Sequence, residues 1–190
     1  MTTPIIIDGG QLNDPPSFAG ELLKAFGFAS MHWARLEQHL DVLLITLNKE
    51  QVTKEKFKPY PNYSWSRKLD FFEKLFSTNS KLSKYSEQVK KLVPRLRELG
   101  NDRNLLLHSN CVEFIEGPPL SMVAVKFNIL KNGNIQQQRA EWTAEQIMGF
   151  AGCVAGLNND LNQISQEVLT PEFLATIFTE PAQGTRSHVT

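Results

Sequence analysis

Apolar residues recur at steps of three and four along four stretches of the chain, which places them on one face of a helix in each. The first stretch opens at Ser17, a side chain suited to an N-cap, with Glu21 in the first turns, and runs to about Asn48. Its stripe is Ala29, Trp33, Leu36, Leu40, Leu43, Leu44 and Leu47. The second, SWSRKLDFFEKLFS, is capped by Ser64 and repeats Trp65, Leu69, Phe72 and Phe76. The third runs from near Leu82 to about His108, with Val89, Leu92, Val93, Leu96 and Leu99, then Arg103, then Leu106 and Leu107. Pro94 predicts a kink or restart there, and Gly100 weakens the helix further. An alternative ends this helix at Gly100 and starts another capped by Asp102. The fourth is the most regular: Ile147, Phe150, Ala151, Val154, Leu157, Leu161, Ile164 and Val168. Thr143 and Gln146 stand at capping-box positions before it, Pro171 ends it, and PEFLATIF suggests a short helix beyond.

Between the third and fourth helices the period changes. CVEFIEG, LSMVAVKFNIL and NIQQQRAEW are β-rich runs separated by GPP and KNG, and Asn132-Gly133 is a hairpin signal. Two or three antiparallel strands are expected over about 111–142. The sequence therefore predicts a mainly α fold: an up-and-down helical bundle with an inserted antiparallel β-hairpin or small sheet before the last long helix. Residues 1–16 read as an irregular arm, 17–180 as one domain, and 181–190 as a mobile tail. KFKPYPNYS reads as a loop. The glycines at 149, 152 and 156 with Ala155 allow another backbone to approach closely. They suggest tight helix packing or a dimer seam.

Composition narrows the class without naming a function. With 190 residues, 41% hydrophobic and 21% charged, the chain suits one globular domain. No signal peptide is expected at MTTPIIIDGG, and the longest aliphatic run, Val42 to Ile45, is too short to span a bilayer. Cys111 and Cys153 lie far apart without metal-ligand spacing, so they read as free thiols of a cytoplasmic protein, with no metal or cofactor expected. Net charge is zero, yet residues 49–108 carry 14 Lys/Arg against seven Asp/Glu, and the rest of the chain carries the compensating acids. A basic middle third suits an anionic partner or a solvated lysine-rich face.

That basic segment ends in NDRNLLLHSN, residues 101–110. Arg103 takes a place its own helix reserves for apolar residues, and a buried guanidinium needs a partner or a wet cleft. Asp102, Glu98 and Glu37 are candidate partners. On a straight helix Asn104 and His108 share a ridge, while Arg103 lies about 140° around from His108. The pair converges if Arg103 reaches around, if the helix unwinds near its end, or if two copies meet. A histidine near neutral pKa moves protons, an arginine clamps a phosphate, and an asparagine orients either, which is the chemistry of metal-free RNA cleavage.

The R-N-x-x-x-H run of Arg103, Asn104 and His108 resembles the Arg-x4–6-His motif of the HEPN superfamily. The resemblance implies a helical bundle, a homodimer that pairs two motifs, and metal-independent endoribonuclease activity. It also implies a toxin or phage-defence role, often beside a nucleotidyltransferase-like antitoxin. The competing expectation is a non-catalytic helical module that binds a protein, a nucleotide or nucleic acid, with Arg103 in a structural ion pair. His32 and His39 are expected to be structural histidines; the alternative is a supporting role for the site, with Glu37 helping to place Arg103. Base stacking by Tyr60, Tyr63 or Trp65 is a lesser candidate.

Overall fold

The computed structural model describes residues 17–48 and 64–178. The expected arm, the KFKPYPNYS loop and the tail beyond 178 lie outside the described residues. The described chain is mainly helical, with five helices and a three-stranded antiparallel sheet. Helices α1 (Gly20–Leu47), α2 (Trp65–Thr78) and α3 (Ser86–Leu106) come first. Strands β1 (Asn110–Ile115), β2 (Ser121–Ile129) and β3 (Ile135–Thr143) follow, then α4 (Ala144–Val168) and α5 (Pro171–Phe178).

The helix starts differ from the expected ones in instructive ways. Ser17 does not cap α1. It opens a 3-10 turn, Ser17–Ala19, and α1 begins behind Ala19 with no side-chain cap. Ser64 stands at the N-cap of α2, but only its backbone oxygen is used, accepting from Lys68 N at 3.0 Å. Thr143 and Gln146 do form a reciprocal capping box, at 3.1 and 2.9 Å. A 3-10 turn, Ser83–Tyr85, precedes α3, which then runs unbroken through Pro94 and Gly100. The break at Gly100 is therefore not made. The reason is packing: the Trp65 indole lies across this backbone and donates to Leu96 O at 3.0 Å. A Cβ at position 100 would stand 2.5 Å from Trp65 Cδ1, so only glycine fits.

Contacts fix the helix directions. Trp33 stacks on Phe150 at 6.3 Å, and further along both helices His39 bonds Asn158 and Ser165, each at 2.9 Å. Residue numbers rise together, so α1 and α4 are parallel. An up-and-down order would have set them antiparallel. Helix α3 opposes α4, with Tyr85 Oη donating to Glu167 at 3.0 Å and Arg95 to Asp160 at 2.7 Å. It also opposes α2, through Arg97 and Asp70. The core is built from the expected stripes, with Leu36, Leu40, Leu43, Phe72, Phe76, Leu96 and Val154 fully buried. His39 serves the structural role expected of it, pinning α1 to α4, and His32 meets Phe28 edge-on.

In the sheet β2 lies between β1 and β3. Ile129 pairs with Ile135 next to the turn, where Gly133 takes φ +79°, a left-handed value that the Asn-Gly sequence accommodates. Both outer strands touch or adjoin the site: β1 begins two residues after His108, and α3 packs against β2 and β3.

Candidate functional site

Arg103 lies in the last turn of α3, with its side chain 20% exposed. Three neighbours hold the guanidinium. Nη1 donates to Asn104 Oδ1 at 3.2 Å, Nη2 is 3.8 Å from Glu37 Oε2, and the Trp33 ring centre is 5.3 Å from Cζ. Glu37 is itself shared. It accepts from Trp33 Nε1 at 3.3 Å and from Lys68 Nζ at 3.0 Å, while Lys68 also reaches Asp41 at 2.9 Å. The result is a cluster of two cations and two carboxylates wedged between α1, α2 and α3. Lys68 is buried, and desolvation works against its charge, but the hydrogen bonds and charges of Asp41 and Glu37 together outweigh that cost and raise its pKa. Burial lowers the Arg103 pKa against the pull of Glu37, but a guanidinium stays charged. Arg103 Nε is buried and makes no hydrogen bond among the described residues.

His108 sits apart from that cluster. Helix α3 ends at Leu106, with Leu107 N bonded to Arg103 O at 2.7 Å, so His108 is not on the Asn104 ridge. The helix end does unwind before His108, but no contact brings the ring onto Arg103 or Asn104 among the described residues. The ring is exposed at the start of the loop to β1. It still feels its surroundings. Partial desolvation, then the charges of Arg103 and of Lys126 on β2, pull its pKa below the ordinary histidine value, against the opposing Glu37. A largely neutral imidazole beside a guanidinium is able to accept a proton near neutral pH.

The structure thus brings Arg103 and Asn104 into contact and places His108 within electrostatic reach. Of the three candidate partners of Arg103, Asp102, Glu98 and Glu37, it is Glu37 that pairs with it. Lys68 and Asp41 were not foreseen. A signal existed for Lys68, which stands three residues after Trp65 and four before Phe72, on the buried side of α2. Trp65 is packed against Gly100 and bonded to Leu96 O, so it is not available to stack bases. Tyr60, Tyr63 and four lysines of the basic segment lie outside the described residues. Part of the basic surplus is matched by acids from outside the segment: Arg95 by Asp160, and Lys68 and Arg103 by Glu37 and Asp41. Among the described residues no group of three metal-ligating side chains occurs, and no helix is long and apolar enough to cross a membrane. Cys111 and Cys153 are unpaired and exposed.

No family model, curated protein or solved structure matches the chain.

Proposed function

We propose that this chain is a metal-independent endoribonuclease of HEPN type. The observation that carries the reading is the end of α3. There a charged Arg103, braced from behind by Glu37, Asn104 and Trp33, lies near an exposed, neutral-leaning His108. The reaction needs no more than this set, used twice. One His108 takes the proton from a ribose 2′-OH, whose oxygen attacks the adjacent phosphorus. The 5′-oxygen leaves and receives a proton from a second imidazole. Arg103 stabilises the charge that builds on the non-bridging oxygens with the positive charge of its guanidinium. Asn104 orients Arg103. The products are a 2′,3′-cyclic phosphate and a free 5′-hydroxyl. One protomer supplies one histidine, so the site is composite and two copies contribute. The same resemblance supports a cytoplasmic toxin or phage-defence role, with a nucleotidyltransferase-like antitoxin as a candidate partner.

A second reading is favoured by one observation of its own. Arg103 already has a carboxylate in Glu37 and a ring in Trp33, as a structural ion pair would. In that case the chain is a non-catalytic binding module.

RNA cleavage in EDTA separates the two. The expected result is cyclic phosphate ends from wild type, and loss of about a hundredfold or more in His108→Ala and Arg103→Ala. A folded wild type that cleaves no RNA, with Arg103→Ala losing only stability, selects the binding module.

A further inference from the structure

We infer that the polar end of the β2–β3 hairpin seats an unpaired RNA strand beside the bond to be cleaved, with Lys126 holding a flanking phosphate. This rests on the nuclease reading, and it names what holds the substrate on either side of Arg103 and His108.

The register divides the hairpin into two faces. Paired side chains share a face, and faces alternate along each strand. Met122 pairs with Trp142 and Phe114, and all three pack in the helical core. Every second residue from Met122 therefore looks toward the helices, which gives Ala124, Lys126 and Asn128 on β2. Gln138 pairs with Lys126 and Gln136 with Asn128, so both share that face. It turns from apolar to polar along its length: Met122 and Ala124 are buried, and beyond them come one lysine and three amides. On the other face β2 stays apolar to its end, where Phe127, Ile129 and the paired Ile135 are 41%, 80% and 68% exposed. An antiparallel sheet packed on one side puts apolar groups inward and polar groups outward. The end of this hairpin is inverted, with its lysine and three of its amides on the side of the helices.

The inversion falls level with His108. Asn110 pairs with Val125, so the antiparallel chain just before it runs past Lys126, with His108 two residues earlier. Lys126 is half-buried, and its charge reaches the imidazole and helps to lower its pKa. Arg139, on the other face, is paired with Glu113 at 3.6 Å, whereas Lys126 has no carboxylate partner among the described residues. An uncompensated ammonium beside a histidine that works on a phosphodiester is placed for the next phosphate of the same strand.

The chemistry of the face selects the kind of strand. Lys126 and Asn128 stand about 7 Å apart along β2, a step comparable with one nucleotide of an extended chain. Each amide offers donors and an acceptor, which match the edges of unpaired bases. In a duplex the opposite strand already occupies those edges. One cation among three amides suits a strand held by its bases more than a duplex held by its phosphates.

The test is binding of a fluorescent RNA oligonucleotide with 2′-O-methyl riboses, which cannot be cleaved, to the full chain across a salt series. Wild type is expected to bind the single strand more tightly than its duplex. Lys126→Gln should weaken binding roughly fivefold and flatten the slope of log Kd against log salt by about 0.7, the loss of one phosphate contact. The double change Gln136→Ala with Gln138→Ala should weaken binding and leave the slope as it is. Both glutamines are exposed and Lys126 is half-buried, so the variants should keep the wild-type circular dichroism. A wild type that binds no oligonucleotide, or binds duplex as tightly, overturns the proposal. So does a Lys126→Gln protein with unchanged Kd and slope. If cleavage then still depends on His108, the seat is wrong and the nuclease stands. Weakened binding in Lys126→Gln by a chain that cleaves no RNA keeps the seat and removes the nuclease.

Discussion

The two flanks of α1 break the usual partition of residues in opposite directions. One flank, at Glu37 and Asp41, draws charges inward: Lys68 is buried against both carboxylates, and Arg103 closes the cluster. The other, at Met31, Val42 and Ile45, leaves apolar side chains in water. The inward charges satisfy one another, so each depends on the rest within a single protomer. Among the described residues nothing covers the outward apolar groups. A change on the first flank should therefore be felt as stability, and a change on the second should barely alter it. That contrast is testable with single substitutions on each flank.

The strongest test is Lys68→Met, which keeps the volume of the side chain and deletes its charge. Glu37 would keep Arg103 and Trp33, but Asp41 would lose its ion pair, and one of its oxygens already lacks a hydrogen bond. Breaking a buried pair in this way costs about 3 kcal/mol. For a chain of this size that lowers Tm by roughly 10 °C. Ile45→Lys, on the same helix but the outward flank, should shift the protomer's Tm by no more than about 1 °C. Equal shifts in the two variants would show that the flanks do not differ in kind.

Glycines sharpen the contrast, because the same substitution should change sign between two helices. Gly100→Ala forces a methyl group into the Trp65 indole and displaces the bond to Leu96 O. Overpacking of this kind costs about 1–3 kcal/mol. Gly152→Ala meets open space, and it removes the entropy cost of a glycine in a helix, a gain of up to about 1 kcal/mol in the protomer. Denaturant titration of both proteins, held dilute enough to be monomeric, reads the two signs directly. A stabilised Gly100→Ala would mean that Trp65 does not rest where it is placed here.

These glycines also show what the sequence made legible. Periodicity found the buried sides of α1, α2 and α4, since stripes such as Leu36, Leu40 and Leu43 report burial directly. Local chemistry found the capping box at Thr143 and the Asn-Gly turn, because both are settled within a few residues. The helix was read through Gly100, as it runs, but the reason for a glycine there was not legible because Trp65 lies 35 positions away. Likewise the parallel sense of α1 and α4 depends on how the chain between them is routed, which no local pattern encodes. In the site, Arg103 announced itself as a charge in an apolar stripe, and Glu37 was found by asking what could pair with it. Lys68 carried a comparable signal on α2. It was hidden because a lysine in a basic segment reads as surface. The position of His108 turned on where α3 unwinds, a boundary that propensity does not fix to within two residues.

The smallest effect probes how His108 is coupled to the inward cluster. Its pKa is held below the ordinary value of about 6.5 by desolvation, by Arg103 and by Lys126, in that order. Folding therefore favours the neutral ring. Whatever stability this group contributes is present above the unfolded pKa and is lost as pH falls through the folded one. Lys126→Gln removes the least of the three causes, so the His108 pKa should rise while staying below that of an unperturbed histidine. Arg103→Gln should raise it further. The titration of the ring protons by NMR measures both shifts. If cleavage is catalysed here, with one His108 as base and a second as acid, both limbs of its bell-shaped pH profile move up in step with them. An unmoved resonance in Lys126→Gln would separate β2 from the site, and would leave Arg103 as the cation that His108 senses.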